Sequence, residues 1–123
     1  MGISPILIID EEIVAEPLCT LLNGLAHDAG HLLPISGVEK AIIDCHYKSL
    51  VIEPFFFFDK GQTTNPVLDR ILEDAHSQKA RILFLSSQSQ ETLNSYNLRQ
   101  GENYDAFLYK PAKMEEILRK LEA

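Results

Sequence analysis

Ser49-Leu50-Val51-Ile52-Glu53-Pro54 is the stretch that decides how this 123-residue chain is read. A short apolar run bounded by turn formers reads as a strand buried on both faces. In open α/β sheets the residue just past the carboxyl end of such a strand is where ligands and chemistry sit. Here that residue is Glu53. A second run, Ile6-Leu7-Ile8-Ile9, stops in the same way at Asp10-Glu11. Two buried strands thus deliver three carboxylates to one edge of a sheet, and that cluster is the candidate site.

Working outward, the pattern predicts a first strand over Pro5 to Ile9. An amphipathic helix follows, with Val14, Leu18, Leu21, Leu22 and Leu25 on its inner stripe. If this helix begins near Glu12 or Ile13, Pro17 falls close to its first turn, where a missing N–H costs little. Gly30 is expected to stop the helical region before a short second strand, His31 to Ile35, whose Pro34 suits an edge position. Ser36-Gly37-Val38-Glu39 has the form of a capping box opening a second helix, with Val38, Ala41, Ile42 and Cys45 inside. Ser49 to Ile52 is the third strand.

Pro54 to Gly61 reads as a loop carrying four consecutive aromatics, Phe55, Phe56, Phe57 and Phe58. They cannot all be buried in an extended loop, so one or two are expected at the surface, where they would form a contact patch. Asn65 then caps a helix with Pro66 at its first position, and Val67, Leu68, Ile71, Leu72 and Ala75 face inward. Arg81 to Leu85 is the fourth strand, ending in Ser86-Ser87. Ser89 to Arg99 is a poorly amphipathic helix with Leu93, Tyr96 and Leu98 to bury and Gly101 as its terminator. Asp105 to Tyr109 is the fifth strand, and a last helix carries Met114, Ile117, Leu118 and Leu121.

Five strands alternating with helices call for a parallel sheet covered on both faces with right-handed crossovers. The fold class expected is α/β, a single doubly wound five-stranded parallel sheet of the flavodoxin-like kind spanning residues 1–123 as one domain. The strand order is left open.

The totals bound the function. At 46% hydrophobic and 24% charged the composition is that of an ordinary globular protein, and a formal charge of −7 opposes contact with nucleic-acid backbones or anionic membranes. The N-terminal run is too short to span a bilayer and lacks the flanks of an export signal, so a cytoplasmic location is expected. Cys19 and Cys45 have no partners at zinc spacing and read as buried reduced thiols. His27, His31, His46 and His76 are scattered.

With all strands parallel, Asp10-Glu11, Glu53, Ser86-Ser87 and Lys110 share one edge. Taken alone, Asp10 and Glu11 would do no more than charge the first turn of a helix. Clustered carboxylates resist ionising together unless a cation is near, and Lys110 or a divalent metal supplies one. Acidic groups, a hydroxyl and a lysine around a metal are what phosphoryl transfer to a carboxylate needs.

At this point the chain resembles the receiver domains of two-component response regulators, over nearly its whole length. The resemblance implies that Asp10-Glu11 corresponds to the metal-binding acidic pair and that Glu53 stands at the phosphoacceptor position. It implies also that Gly61 closes the following loop, and that Ser86, Ser87, Phe107, Lys110 and Pro111 are the phosphoryl-contact and switch residues, with Lys110-Pro111 often cis. Two features depart from that pattern. The acceptor is Glu where Asp is usual, and Pro54 directly follows it while Phe57 takes the usual proline position. An extra methylene displaces a carboxylate by about 1.5 Å, enough to spoil in-line geometry and octahedral Mg²⁺ coordination.

The reading is therefore an atypical or pseudo-receiver, a signalling module and not an enzyme. It would work through contacts with a protein partner such as a histidine kinase or a downstream signalling protein, without direct nucleic-acid or membrane binding. Mg²⁺ at Asp10, Glu11 and Glu53 would be weak or lost. The alternative is a conventional phosphoacceptor using Mg²⁺ and a histidine-kinase donor. A small flavodoxin-like enzyme or cofactor binder is weaker still, because no Gly-rich loop follows the first strand and Asp10-Glu11-Glu12 would repel a nucleotide.

Overall fold

The computed structural model describes residues 2–33, 46–58 and 65–123. β1 (Ile6–Ile9), β3 (Ser49–Ile52) and β4 (Arg81–Ser86) are the near-continuous apolar runs, and they are buried almost throughout. β2 (Ala29–Leu32) and β5 (Ala106–Tyr109) are only partly covered. That difference sets the order β2-β1-β3-β4-β5, with every neighbouring pair parallel and the two half-covered strands at the edges.

Side-chain alternation along each strand splits the core into two layers. Ile6, Ile8, Val51, Leu83, Leu85 and Ala106 face Ala15, Leu18 and Leu22 of α1 (Glu12–Gly24), together with Ile117 and Leu121 of the C-terminal helix Met114–Glu122. Leu7, Ile9, Leu50, Ile52, Ile82 and Phe84 face the opposite way. They pack on Leu68, Ile71, Leu72 and Ala75 of α2 (Pro66–Ser77) and on Leu93 of α3 (Gln90–Ser95). The C-terminal helix is α4. The sheet is thus the doubly wound, flavodoxin-like one that the alternating pattern predicts.

α2 begins as expected, the Asn65 carboxamide oxygen accepting from the Leu68 amide at 2.9 Å with Pro66 at the first helical position. Elsewhere the expectations need correction. The buried face of α1 is Ala15, Leu18 and Leu22, while Leu21 and Leu25 of the expected stripe are exposed and Val14 is half-buried. Pro17 is the sixth residue of α1, beyond the first turn. The helix runs through it on its exposed side, where water can satisfy the carbonyl left without a partner.

Gly30 lies inside β2 and does not end α1, which closes at Gly24. The segment after β4 forms only six helical residues, and the chain turns at Asn97 (φ 61°) well before Gly101. Cys19 is half-buried and donates to the Ala29 carbonyl at 3.0 Å. Pro34, the capping box at Ser36 to Glu39, the second helix with Cys45, and Gly61 lie outside the described residues. Among the described residues no helix is long and apolar enough to cross a membrane.

Candidate functional site

The strand order places the reversal of chain direction between β1 and β3, because the chain leaves β1 for β2 on one side and returns to β3 on the other. A crevice opens at such a point, outside the carboxyl ends of the two strands. Ile9 is in register with Ile52, and the Glu53 amide donates to the Ile9 carbonyl at 3.0 Å. Asp10 and Glu53 therefore emerge side by side. From the other direction, the Lys110 amide donates to the Ser86 carbonyl at 2.9 Å, which sets Lys110 just past β5 beside the end of β4. The peptide bond between Lys110 and Pro111 is cis.

Lys110 Nζ lies 2.8 Å from Asp10 Oδ2 and 3.6 Å from Glu53 Oε1. Asp10 is 2% exposed and Glu53 4%, so two carboxylates are held out of water by one ammonium. Asp10 Oδ1 accepts from the Glu11 amide at 2.7 Å. Glu53 Oε2 is buried and has no hydrogen-bond partner among the described residues. Burial pushes the Glu53 carboxyl above its ordinary value of 4.5. Ser86, Lys110 and the Ser87 backbone oppose the rise, and the neighbouring Asp10 charge adds to it. Ser86 is itself fully buried, its hydroxyl oxygen accepting from the Gln88 amide at 3.0 Å.

Glu11 and Ser87 are exposed, Phe107 is half-buried with its ring edge-on to Tyr109 at 5.0 Å, and Pro111 is exposed. Asp10, Glu53, Ser86 and Lys110 are therefore the members of the expected set that come together. Among the described residues no three His, Cys, Asp or Glu side chains converge on a common metal position. The ammonium of Lys110 lies within reach of both carboxylates, Asp10 and Glu53.

The aromatic run is not an exposed loop. Pro54–Phe57 forms a 3₁₀ turn in which Phe57 is buried. Phe55 and Phe58 close on the ring of Tyr96 at 5.2 and 4.7 Å between centroids. Of the four, Phe56 is the exposed one at 41%, and its ring sits 5.6 Å from Lys110 Nζ. The surface this run offers is Phe56 alone. Two contributors escaped the sequence reading: Tyr96, counted only as something to bury, and the placement of Phe56 on the lysine. Spacing along the chain carries no signal for either contact.

No family model and no curated protein matches the chain. Solved structures do. A response regulator protein from Burkholderia pseudomallei, described with a phosphorylated aspartic acid, a calcium ion and citrate, superposes with a TM-score of 0.71 at 22% identity, over 94% of this chain and 65% of its own. The chain spans just under two thirds of that protein's length. The chemotaxis protein CheY4 of Vibrio cholerae gives 0.69 at 14% identity over 95% and 94% of the two chains. The receiver domain of a sensor histidine kinase from Pseudomonas aeruginosa, with magnesium coordinated in its active-site cleft, gives 0.65 at 15% over 95% and 93%. At these identities the likeness is one of architecture, and the architecture of this chain is the receiver fold.

Proposed function

We propose that this chain is a receiver-like signalling module of a two-component or phosphorelay system that is read through protein–protein contacts and is not switched by ordinary phosphorylation of its acceptor position. The observation that carries this reading is the Asp10–Lys110–Glu53 arrangement, with Nζ 2.8 Å from one carboxylate and 3.6 Å from the other. In this reading Lys110 neutralises the pocket as a metal would. Burial favours the protonated form of Glu53, which is a poor nucleophile. Mg²⁺, which demands near-octahedral oxygen ligands, would have to displace the ammonium and binds weakly if at all. A histidine kinase or a downstream signalling protein is the partner class that goes with the fold.

One observation favours the conventional acceptor reading: Glu53 Oε2 has no hydrogen-bond partner among the described residues, which leaves its lone pairs free to attack a phosphoryl donor. Intact mass after incubation with Mg²⁺ and acetyl phosphate separates the two. The expected result is an unchanged mass. A gain of one phosphoryl group that disappears in Glu53→Gln would overturn the proposal in favour of the acceptor.

A further inference from the structure

Three of the four rings after Glu53 have a packing role, and Phe56 does not share it. Phe57 is buried in the core layer that holds Ile52 and Phe84, while Phe55 and Phe58 close on Tyr96. Pro54 opens the 3₁₀ turn, and the Phe58 amide donates to the Phe55 carbonyl at 3.2 Å. A turn clamped by its neighbours on both sides of Phe56 fixes the direction in which that exposed ring leaves the backbone.

The ring is placed at Lys110 Nζ, 5.6 Å from centroid to nitrogen. An ammonium has three N–H donors and no acceptor. Asp10 Oδ2 at 2.8 Å takes one of them, whereas Glu53 Oε1 at 3.6 Å is beyond hydrogen-bond reach and attracts by charge alone. The remaining donors would ordinarily face water, yet the Lys110 side chain is only 19% exposed. The face of an aromatic ring is electron-rich and attracts a cation within about 6 Å, more strongly where water is thin. The exposed ring of the run and the ammonium of the site thus cover each other.

We propose that Phe56 is a positioning residue of this site: its ring face holds the Lys110 ammonium down onto Asp10 and Glu53 and closes the mouth of the pocket to water and to small solutes that would reach the carboxylates. The proposal deepens the non-acceptor reading and rests on it for its consequence, that phosphoryl donors are kept from Glu53. The hold on Lys110 is measured without any donor, so the two can fail separately. A phosphoryl adduct on the native protein with Lys110 still under the ring would remove the non-acceptor reading alone, and an unheld Lys110 with the mass unchanged would remove the role of Phe56 alone.

The test is NMR of the protein isotopically labelled at lysine. In the native protein the Cε protons of Lys110 are expected upfield of those of Lys113, an exposed lysine on the same segment, because the Phe56 ring current acts on them. The Lys110 ammonium protons are expected to exchange with water more slowly than those of Lys113. Phe56→Leu keeps an apolar cover and removes the π face; it should return the Cε protons to the Lys113 position and speed the ammonium exchange about fivefold. Phe56→Tyr keeps the face and should leave both readouts as they are in the native protein. Phe56 is exposed, so neither substitution disturbs the core. An unshifted Lys110 in the native protein, or unchanged exchange in Phe56→Leu, would overturn the proposal. So would equal changes in Phe56→Leu and Phe56→Tyr, which would assign the effect to the turn and not to the ring.

Discussion

Glu53 carries a proton balance that can be checked without any partner. Its pKa is raised in the folded state, chiefly by burial, so the native protein holds this proton more tightly than the unfolded chain does. The folded state then binds more protons between the ordinary and the raised value, and stability falls as pH rises through that interval and stays lower above it. Glu53→Gln keeps the shape and removes the ionisation. The variant should melt higher than the native protein near neutral pH, by roughly 4 °C if the gain is about 1 kcal/mol in a domain of this size. The gain should vanish below about pH 4, where Glu53 is protonated in both states. Thermal melts at the two pH values decide it; a shift equal at both would mean that ionisation of Glu53 is not the cause. Asp10 keeps Lys110 paired at 2.8 Å in the variant, so no cation is orphaned. At this scale the sequence shows where the carboxylates fall, because each closes a buried run. It does not show that Lys110 would reach both of them or that Oε2 would lack a partner among the described residues, since those depend on which strands are neighbours.

Among the elements, α3 is the one whose existence most needs explaining. Six residues are too few to hold a helix by their own hydrogen bonds. Ser89 caps it by accepting from the Thr92 amide at 3.1 Å, Leu93 is fully buried beneath it, and at its end Tyr96 contacts both Phe55 and Phe58. The 3₁₀ turn after Glu53 and the helix after β4 are therefore one aromatic unit, built from segments nearly forty residues apart. Tyr96→Ala should cost about 2 kcal/mol, less than a fully buried aromatic because Tyr96 is half-buried. It should also shift the ring resonances of Phe55 and Phe58 along with the amides of α3. Urea denaturation and aromatic NMR read the two effects; unmoved Phe55 and Phe58 resonances would break the unit apart. The sequence marks this helix as poorly amphipathic, which is correct, and misses what compensates. In α1 the failure runs the other way. Counting large apolar residues selects Val14, Leu21 and Leu25, whereas close approach to the sheet selects Ala15, a residue whose small size gives it little weight in a periodicity.

For the molecule as a whole, the two-sided burial of β1, β3 and β4 is what the apolar runs made legible, and it implies a gradient of local stability across the sheet. Ile8, Val51, Leu83 and their neighbours are covered by α1 and α4 on one side, and Ile9, Ile52 and Phe84 by α2 and α3 on the other. Their amides can reach water only if a whole layer opens. β2 at one edge is half-covered and hydrogen-bonded on one side only, and β5 ends exposed at Tyr109. Local openings span free energies from near zero at edges to the global value in central strands. Native-state hydrogen exchange should therefore find the amides of Ile8, Val51 and Leu83 exchanging at the rate of global unfolding. Those of Gly30 and His31 should be faster by a factor of about a hundred or more, corresponding to roughly 3 kcal/mol less protection. The site draws on both regimes. Asp10 and Glu53 follow β1 and β3, both inside the sheet, while Lys110 follows β5 at the edge and reaches them past the end of β4. If the lysine is what holds β5 to the centre, Lys110→Met should bring β5 amides down towards the β2 rate and leave Ile8 and Val51 tied to global unfolding. Equal loss of protection in all five strands would instead assign Lys110 to the stability of the whole sheet.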